Sequence, residues 1–296
     1  MATRTVTAVA ACVLLVILLC SVAVYGATPG RVTDEALRNI SETLLANDVN
    51  NAAQHVRVNY QSRTRSNSIT DDAPSPFLSV GSRALEITTV AKVRRMFDNY
   101  IADTGINEQV TTQEVSEENG LLDAVIATSV MNHTLNFLAT HGLVRRNTNA
   151  LKSLLRELWF TMYSRGGGKM GSSAFEHVFL AELKRGEISG MHNWIFFSFE
   201  EARNTADYMG YIRKLELGNK GAIAKIHYKW SNVVKPVGSM FVGTSPELEM
   251  ALYTICFLTR PDDRCQITLG NKVVTIRTHT FRYRGKNLIG SAFPEI

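Results

Sequence analysis

Hydrophobic positions change period midway along the chain. Up to about residue 143 they recur every three or four residues. Val90, Val93, Phe97 and Ile101, with Arg94 between them, form one amphipathic stripe. Leu121, Leu122, Val125, Ile126, Val130 and Met131 form another. Thr33 to about Leu143 therefore reads as mostly helical. Gln61 to Pro76 interrupts it as a loop rich in Ser, Arg, Asn, Asp and Pro. Leu151 to Tyr163 predicts a further helix with Leu154, Leu155, Leu158 and Trp159 inward, broken by Arg165-Gly166-Gly167-Gly168.

After the glycines the pattern is that of strands. Phe175 to Leu183 and Trp194 to Phe199 are rich in β-formers and predict a hairpin turning near Arg185-Gly186. Ala222 to Trp230 and Lys272 to Tyr283 alternate as strands do. Ser245 as N-cap and Pro246 at the first helical position start a helix running through Tyr253 towards Leu258. The expected class is α+β, with a mostly helical N-terminal half (about 33–165) and an antiparallel-sheet-rich, catalytic C-terminal half (about 170–296).

The first residues follow another logic. Arg4 precedes an apolar run from about Val6 to Tyr25, and small residues follow at Gly26 and Ala27. That order is a signal peptide over residues 1–26, and it predicts secretion. The alternative is an uncleaved anchor with a lumenal or extracellular domain. Cys12 and Cys20 belong to this run. Cys256 and Cys265 are left, either as one disulfide or as two thiols. Asn39 and Asn132 begin glycosylation sequons.

The net charge of +5 and pI of about 9.0 favour a polyanionic partner without marking a surface, and a merely solvated surface is the plainer alternative. Walker, Gly-x-Ser-x-Gly and CxxC motifs are absent, which argues against the chemistries they serve. The candidate chemistry lies in His177, His192 and Lys235. Two imidazoles can shuttle protons to and from a phosphodiester while an ammonium group holds the extra charge on phosphorus. The histidines bracket the expected hairpin, whose cross-strand reach is about 5–8 Å. Spacing alone leaves unrelated histidines and a snorkelling lysine as the plainer account. Glu176 and Glu182 either orient His177, hold a divalent ion, or are plain surface carboxylates, the last being favoured by the sequence. Ser239 lies four residues after Lys235, and Phe293 pairs an aromatic ring with nearby Ser291. Such a ring either stacks on a base or anchors the terminus in the core.

The flanking residues add specificity. Ser172-Ser173-Ala174-Phe175-Glu176-His177-Val178-Phe179, Met191-His192-Asn193-Trp194-Ile195 and Lys235-Pro236-Val237-Gly238-Ser239 resemble motifs of the EndoU family of poly(U)-specific endoribonucleases. So do Phe241 to Glu247, Ala251-Leu252-Tyr253-Thr254 and Ile289 to Pro294, and the likeness extends from about Thr33 to Pro294. The resemblance implies an EndoU-like fold and cleavage of single-stranded, U-containing RNA at uridylates, leaving 2′,3′-cyclic phosphate ends. It implies catalysis by His177, His192 and Lys235, support from Glu176 and Glu182, and substrate contacts from Ser239, Ser291 and Phe293. It also implies stimulation by Mn2+, with no metal ligands assigned; no obligatory protein partner is evident from the sequence. Ala174 stands for a usual Gly, Met170-Gly171 for a segment with an Asp, and Phe293 for a common Tyr; none removes a catalytic group. The alternative is a secreted RNA-binding or interaction protein that keeps the fold with little activity.

Overall fold

The computed structural model describes residues 32–68 and 70–296. The signal peptide expected over residues 1–26, with Cys12 and Cys20, lies outside the described residues. Among the described residues no helix is long and apolar enough to cross a membrane.

The N-terminal half comprises α1 (Asp34–Ala46), β1 (Val56–Val58), β2 (Leu78–Val80), α2 (Ser82–Glu86), α3 (Thr88–Arg95), α4 (Thr112–Ile126), α5 (Ser129–Thr140) and α6 (Thr148–Phe160). Thr33, Thr111, Thr128 and Asn147 cap four of these helices with side-chain oxygens. The cap at Thr128 splits the second amphipathic stripe into α4 and α5. The first stripe ends as helix at Arg95, short of Ile101. The described residues between Gln61 and Pro76 form the expected loop, but it is flanked by the antiparallel pair β1–β2. Strands of three residues are too short to show alternation.

The C-terminal half comprises α7 (Ala174–Phe179), β3 (Ala181–Lys184), β4 (Glu187–Gly190), α8 (Trp194–Ala202), β5 (Ala206–Glu216), β6 (Ala222–Trp230), β7 (Val233–Val242), α9 (Pro246–Thr259), β8 (Arg264–Leu269), β9 (Lys272–Tyr283) and β10 (Lys286–Glu295). Two antiparallel sheets, ordered β5-β6-β7 and β10-β9-β8, approach each other at β7 and β10. The buried helix α9 packs on β9, β10 and α5. Trp159 and Trp194 are fully buried, and each indole N–H finds an acceptor: Trp159 donates to the Thr254 hydroxyl at 3.0 Å, Trp194 to the Thr244 carbonyl at 2.9 Å. Burying a large apolar side chain stabilises by about 1.5–3 kcal/mol, and these bonds remove the cost of an unpaired donor.

The structure corrects the expected strands at Phe175 to Leu183 and Trp194 to Phe199. Their aromatic-rich parts are the helices α7 and α8, and the hairpin between them is only β3–β4. Local capping outweighs β-propensity here. Ser173 and Glu176 form a reciprocal capping box. Asn193 accepts from the N–H groups of Ile195 and Phe196. Every α7 residue is buried, so no polar face betrays a helical period. Cys256 and Cys265 form a disulfide with Cα atoms 5.5 Å apart, joining α9 to β8.

Candidate active site

The hairpin β3–β4 turns at Arg185 and Gly186, both with positive φ, at the expected position. At its foot the chain kinks again through Gly190 (φ 76°) and Met191 (φ 65°). A Cβ on Gly190 would collide with the His177 carbonyl oxygen, so only glycine fits. The kink lets the Met191 N–H donate to the His177 carbonyl at 3.0 Å and the His192 N–H donate to that of Val178 at 2.9 Å. His192 is thereby stitched to the backbone of α7. The two imidazoles stand 6.0 Å apart, centroid to centroid. They meet at the feet of the hairpin and not across its strands.

Lys235 enters from β7, and its Nζ donates to the Gly190 carbonyl. His177, His192, Lys235, Ser239 and Phe293 line one cavity of about 450 Å³ together with Lys225. Ser291, from β10, is bonded to His177 Nε2 at 3.0 Å. Phe293 stacks on His192 at 4.9 Å.

The two rings differ in what stands behind them. His177 Nδ1 is 2.8 Å from Glu182 Oε2, a carboxylate. His192 Nδ1 is 2.9 Å from the Ser239 carbonyl oxygen, which can only accept, so Nδ1 carries the proton and Nε2 is the free base. Burial and then the Arg165 charge hold the His177 imidazole down at about 4, against the opposing pull of Glu182. Burial, with the charge of Lys235 next, holds His192 well below the usual histidine value. Burial lowers the Lys235 ammonium to about 8, still charged at neutral pH. Burial works to raise Glu182, but the His177 bond and the charges beside it outweigh burial and keep it below the ordinary carboxylate value.

Glu176 and Glu182 are not the surface carboxylates the sequence favoured; both are buried. Glu182 orients His177 directly. Glu176 acts one step removed: it accepts the Ser173 N–H at 2.9 Å and fixes the helix that carries His177. Burial, with Glu108 and Glu182 nearby, pushes its carboxyl well up.

Sequence reasoning missed Arg165 and Ser172. Arg165 Nε lies 2.9 Å from Glu182 Oε2 and donates to Ser172 Oγ at 2.7 Å. Its guanidinium also bonds the Tyr163 hydroxyl and the Gly290 carbonyl, tying β10 to the site. No local signal marks Arg165, which stands before a glycine run and reads as part of a helix stop. Asn193 and Glu249 were missed too. Asn193 Nδ2 donates to Glu249 Oε2 at 3.2 Å, and burial pushes that carboxyl up to about 8.

The carboxylates beside the histidines do not fit as ligands of a divalent cation. Both Glu182 oxygens already accept from Ser172, His177 and Arg165, and Glu176 caps α7. Among the described residues no three His, Cys, Asp or Glu side chains converge to hold a metal ion.

Two buried imidazoles with unlike supports and a buried ammonium, gathered in one cleft, define a general acid–base site for an anionic substrate. The chain matches the family described as Endoribonuclease XendoU over residues 36–294, and it belongs to that family. It is 38% identical to the Uridylate-specific endoribonuclease EndoU of Drosophila melanogaster, over 89% of this chain and 83% of that protein. It is 33% identical to Uridylate-specific endoribonuclease D of Xenopus laevis, over 88% of each. A solved structure described as XendoU, a splicing independent snoRNA processing endoribonuclease, superposes with a TM-score of 0.75 at 32% identity, covering 90% of this chain and 98% of that one. The expected α+β class, with sheets in the C-terminal half, agrees with that neighbour.

Proposed function

We propose that the protein is an endoribonuclease that cleaves single-stranded RNA at uridylates, with His192 as general base and His177 as general acid. The observation that carries the assignment of roles is the asymmetry behind the rings. A carboxylate stabilises an imidazolium, and a neutral carbonyl does so far less. His177, backed by Glu182, is the better proton donor. His192, backed by the Ser239 carbonyl, is the better acceptor. His192 Nε2 takes the proton of the 2′-hydroxyl as O2′ bonds to phosphorus. The P–O5′ bond breaks, and His177 delivers a proton to O5′. The products are a 2′,3′-cyclic phosphate and a 5′-hydroxyl. Lys235 holds the extra charge on the phosphoryl oxygens. Ser239 supports uracil selection from its place in the cleft, with Ser291 and Phe293 beside the sugar and base.

Mn2+ stimulation belongs to this proposal only as an action on the RNA phosphates, because the two carboxylates beside His177 are already committed. Secretion is supported by the Cys256–Cys265 bridge, which suits an oxidising compartment.

The test is a 5′-labelled oligonucleotide with a single uridine. Cutting 3′ to that uridine, with a cyclic phosphate end, is expected with and without Mn2+. A folded protein that binds the strand and leaves it intact would transfer the weight to an RNA-binding role.

The pH dependence follows from the shifts. In the free protein His192 is neutral far into the acid range, while His177 holds its proton only below about 4. The correct pair therefore grows scarcer as pH rises, and kcat/KM should peak on the acid side of neutrality. The loss should steepen through about 8 as Lys235 deprotonates. A bound phosphate is an anion and raises both imidazoles. The kcat optimum should therefore lie at higher pH than that of kcat/KM. Coincident optima, or the reverse order, would contradict the assignment.

A further inference from the structure

Several basic residues are aligned beside the cleft. In the sheet β5-β6-β7, Arg213 pairs with Lys225 and Lys225 pairs with Ser239. Directly opposed residues of antiparallel strands share a face. A row Ser239–Lys225–Arg213 thus leads from the cleft to the outer edge of that sheet. In the sheet β10-β9-β8, Phe293 pairs with Arg277 and Arg277 pairs with Arg264. A second row, Phe293–Arg277–Arg264, leaves the same cleft along the other sheet. Each row starts at a residue expected to touch substrate and ends at an arginine.

Between the outer ends lies a second cavity of about 450 Å³, lined by Arg213, Lys214, Lys225, Arg264, Thr275 and Glu295. Lys225 and Glu295 also line the catalytic cleft, so the two cavities adjoin. Three cationic side chains that share the face of the two rows, Arg213, Lys225 and Arg264, line it with one acidic side chain, Glu295, while Lys214 alternates to the other face of β5. Glu295 lies 3.6 Å from Arg264 and 4.0 Å from Arg277, close enough to aim both guanidinium groups without pairing tightly with either. Lys225 Nζ reaches the Ile296 carbonyl at 3.5 Å, and Lys214 Nζ stands over the Tyr60 ring at 4.0 Å. Arg213 is exposed. Spaced guanidinium forks along a groove match a chain of phosphates.

We propose that this groove binds the phosphodiester backbone of nucleotides flanking the cleaved uridylate, so that the protein grips an extended single strand and not an isolated dinucleotide. The inference rests on the RNA-cleaving role proposed above, and its test separates the two. A labelled nine-nucleotide strand carrying one central 2′-deoxyuridine lacks the attacking hydroxyl and reports binding alone. Its Kd, followed over a range of salt, is compared between wild type and Arg213→Ala/Arg264→Ala, beside cleavage of a uridylyl dinucleotide by both.

In the variant the Kd for the nine-mer should rise roughly tenfold, the scale of removing one charge-assisted hydrogen bond. The slope of log Kd against log salt should flatten by about 0.7 for each phosphate that is no longer neutralised. Dinucleotide cleavage should change less than twofold. Arg213→Lys/Arg264→Lys should restore the slope. An unchanged Kd and slope, an equal loss on the dinucleotide, or displacement of the nine-mer by polyglutamate as readily as by RNA would each overturn the groove. Salt-sensitive, arginine-dependent binding of the nine-mer, with neither the dinucleotide nor the same nine-mer carrying a central ribouridine being cut, would uphold the groove and overturn the enzymatic role.

Discussion

Replacing His192 with alanine should slow cleavage of a single-uridine RNA by at least roughly 10²-fold, and by up to about 10⁴-fold, the range of a lost general base. The imidazole presents Nε2 as the free acceptor because Nδ1 is committed to the Ser239 carbonyl. The other imidazole of the pair, His177, is 6.0 Å away and occupied by Glu182 and Ser291. The loss should fall on kcat more than on KM, since Lys235 and the cleft walls remain. Single-turnover cleavage measures it, and added imidazole should recover part of the rate. Near-wild-type activity would remove His192 from the mechanism.

Glu182→Gln should be the most damaging near-isosteric change in the protein. Glu182 is the counter-charge of Arg165, whose side chain is only 9% exposed, with Nε 2.9 Å away. Breaking a buried pair from one side leaves the other charge uncompensated and costs roughly 3–5 kcal/mol. The same change withdraws the carboxylate that favours the His177 imidazolium, so activity should fall as well. Urea unfolding gives the stability, and the double variant Arg165→Met/Glu182→Gln separates the effects. Removing both charges should return a large part of the stability and none of the activity. A stability within about 0.5 kcal/mol of wild type for Glu182→Gln would show that Arg165 is solvated in a way the structure does not display.

Much of this architecture is readable in the chain itself. β9 occupies Lys272–Tyr283 because its faces differ, and β6 occupies Ala222–Trp230, where turns bound it and Lys225 and Lys229 break an otherwise buried run. Helix α9 starts where Ser245 and Pro246 place it. Legibility fails where burial is complete. The α7 segment is buried all round, so its helical period leaves no polar trace and aromatic content suggests a strand. The site shows the same division. The two histidines and the lysine carry their chemistry in their residue type. Arg165 does not, because its meaning depends on Glu182 and Gly290, distant in the chain. The basic rows depend on strand register, which composition cannot supply.

Gly190 has a wider consequence. One α-carbon with no side chain lies against the backbone of His177, precedes the turn that presents His192, and offers its carbonyl to Lys235. Acid, base and cation therefore share a single hinge point. A change of backbone at that point would displace all three together. Selection on this cleft acts on a unit: the catalytic groups can be lost together through a change that touches none of their side chains, and they cannot easily be retuned one at a time.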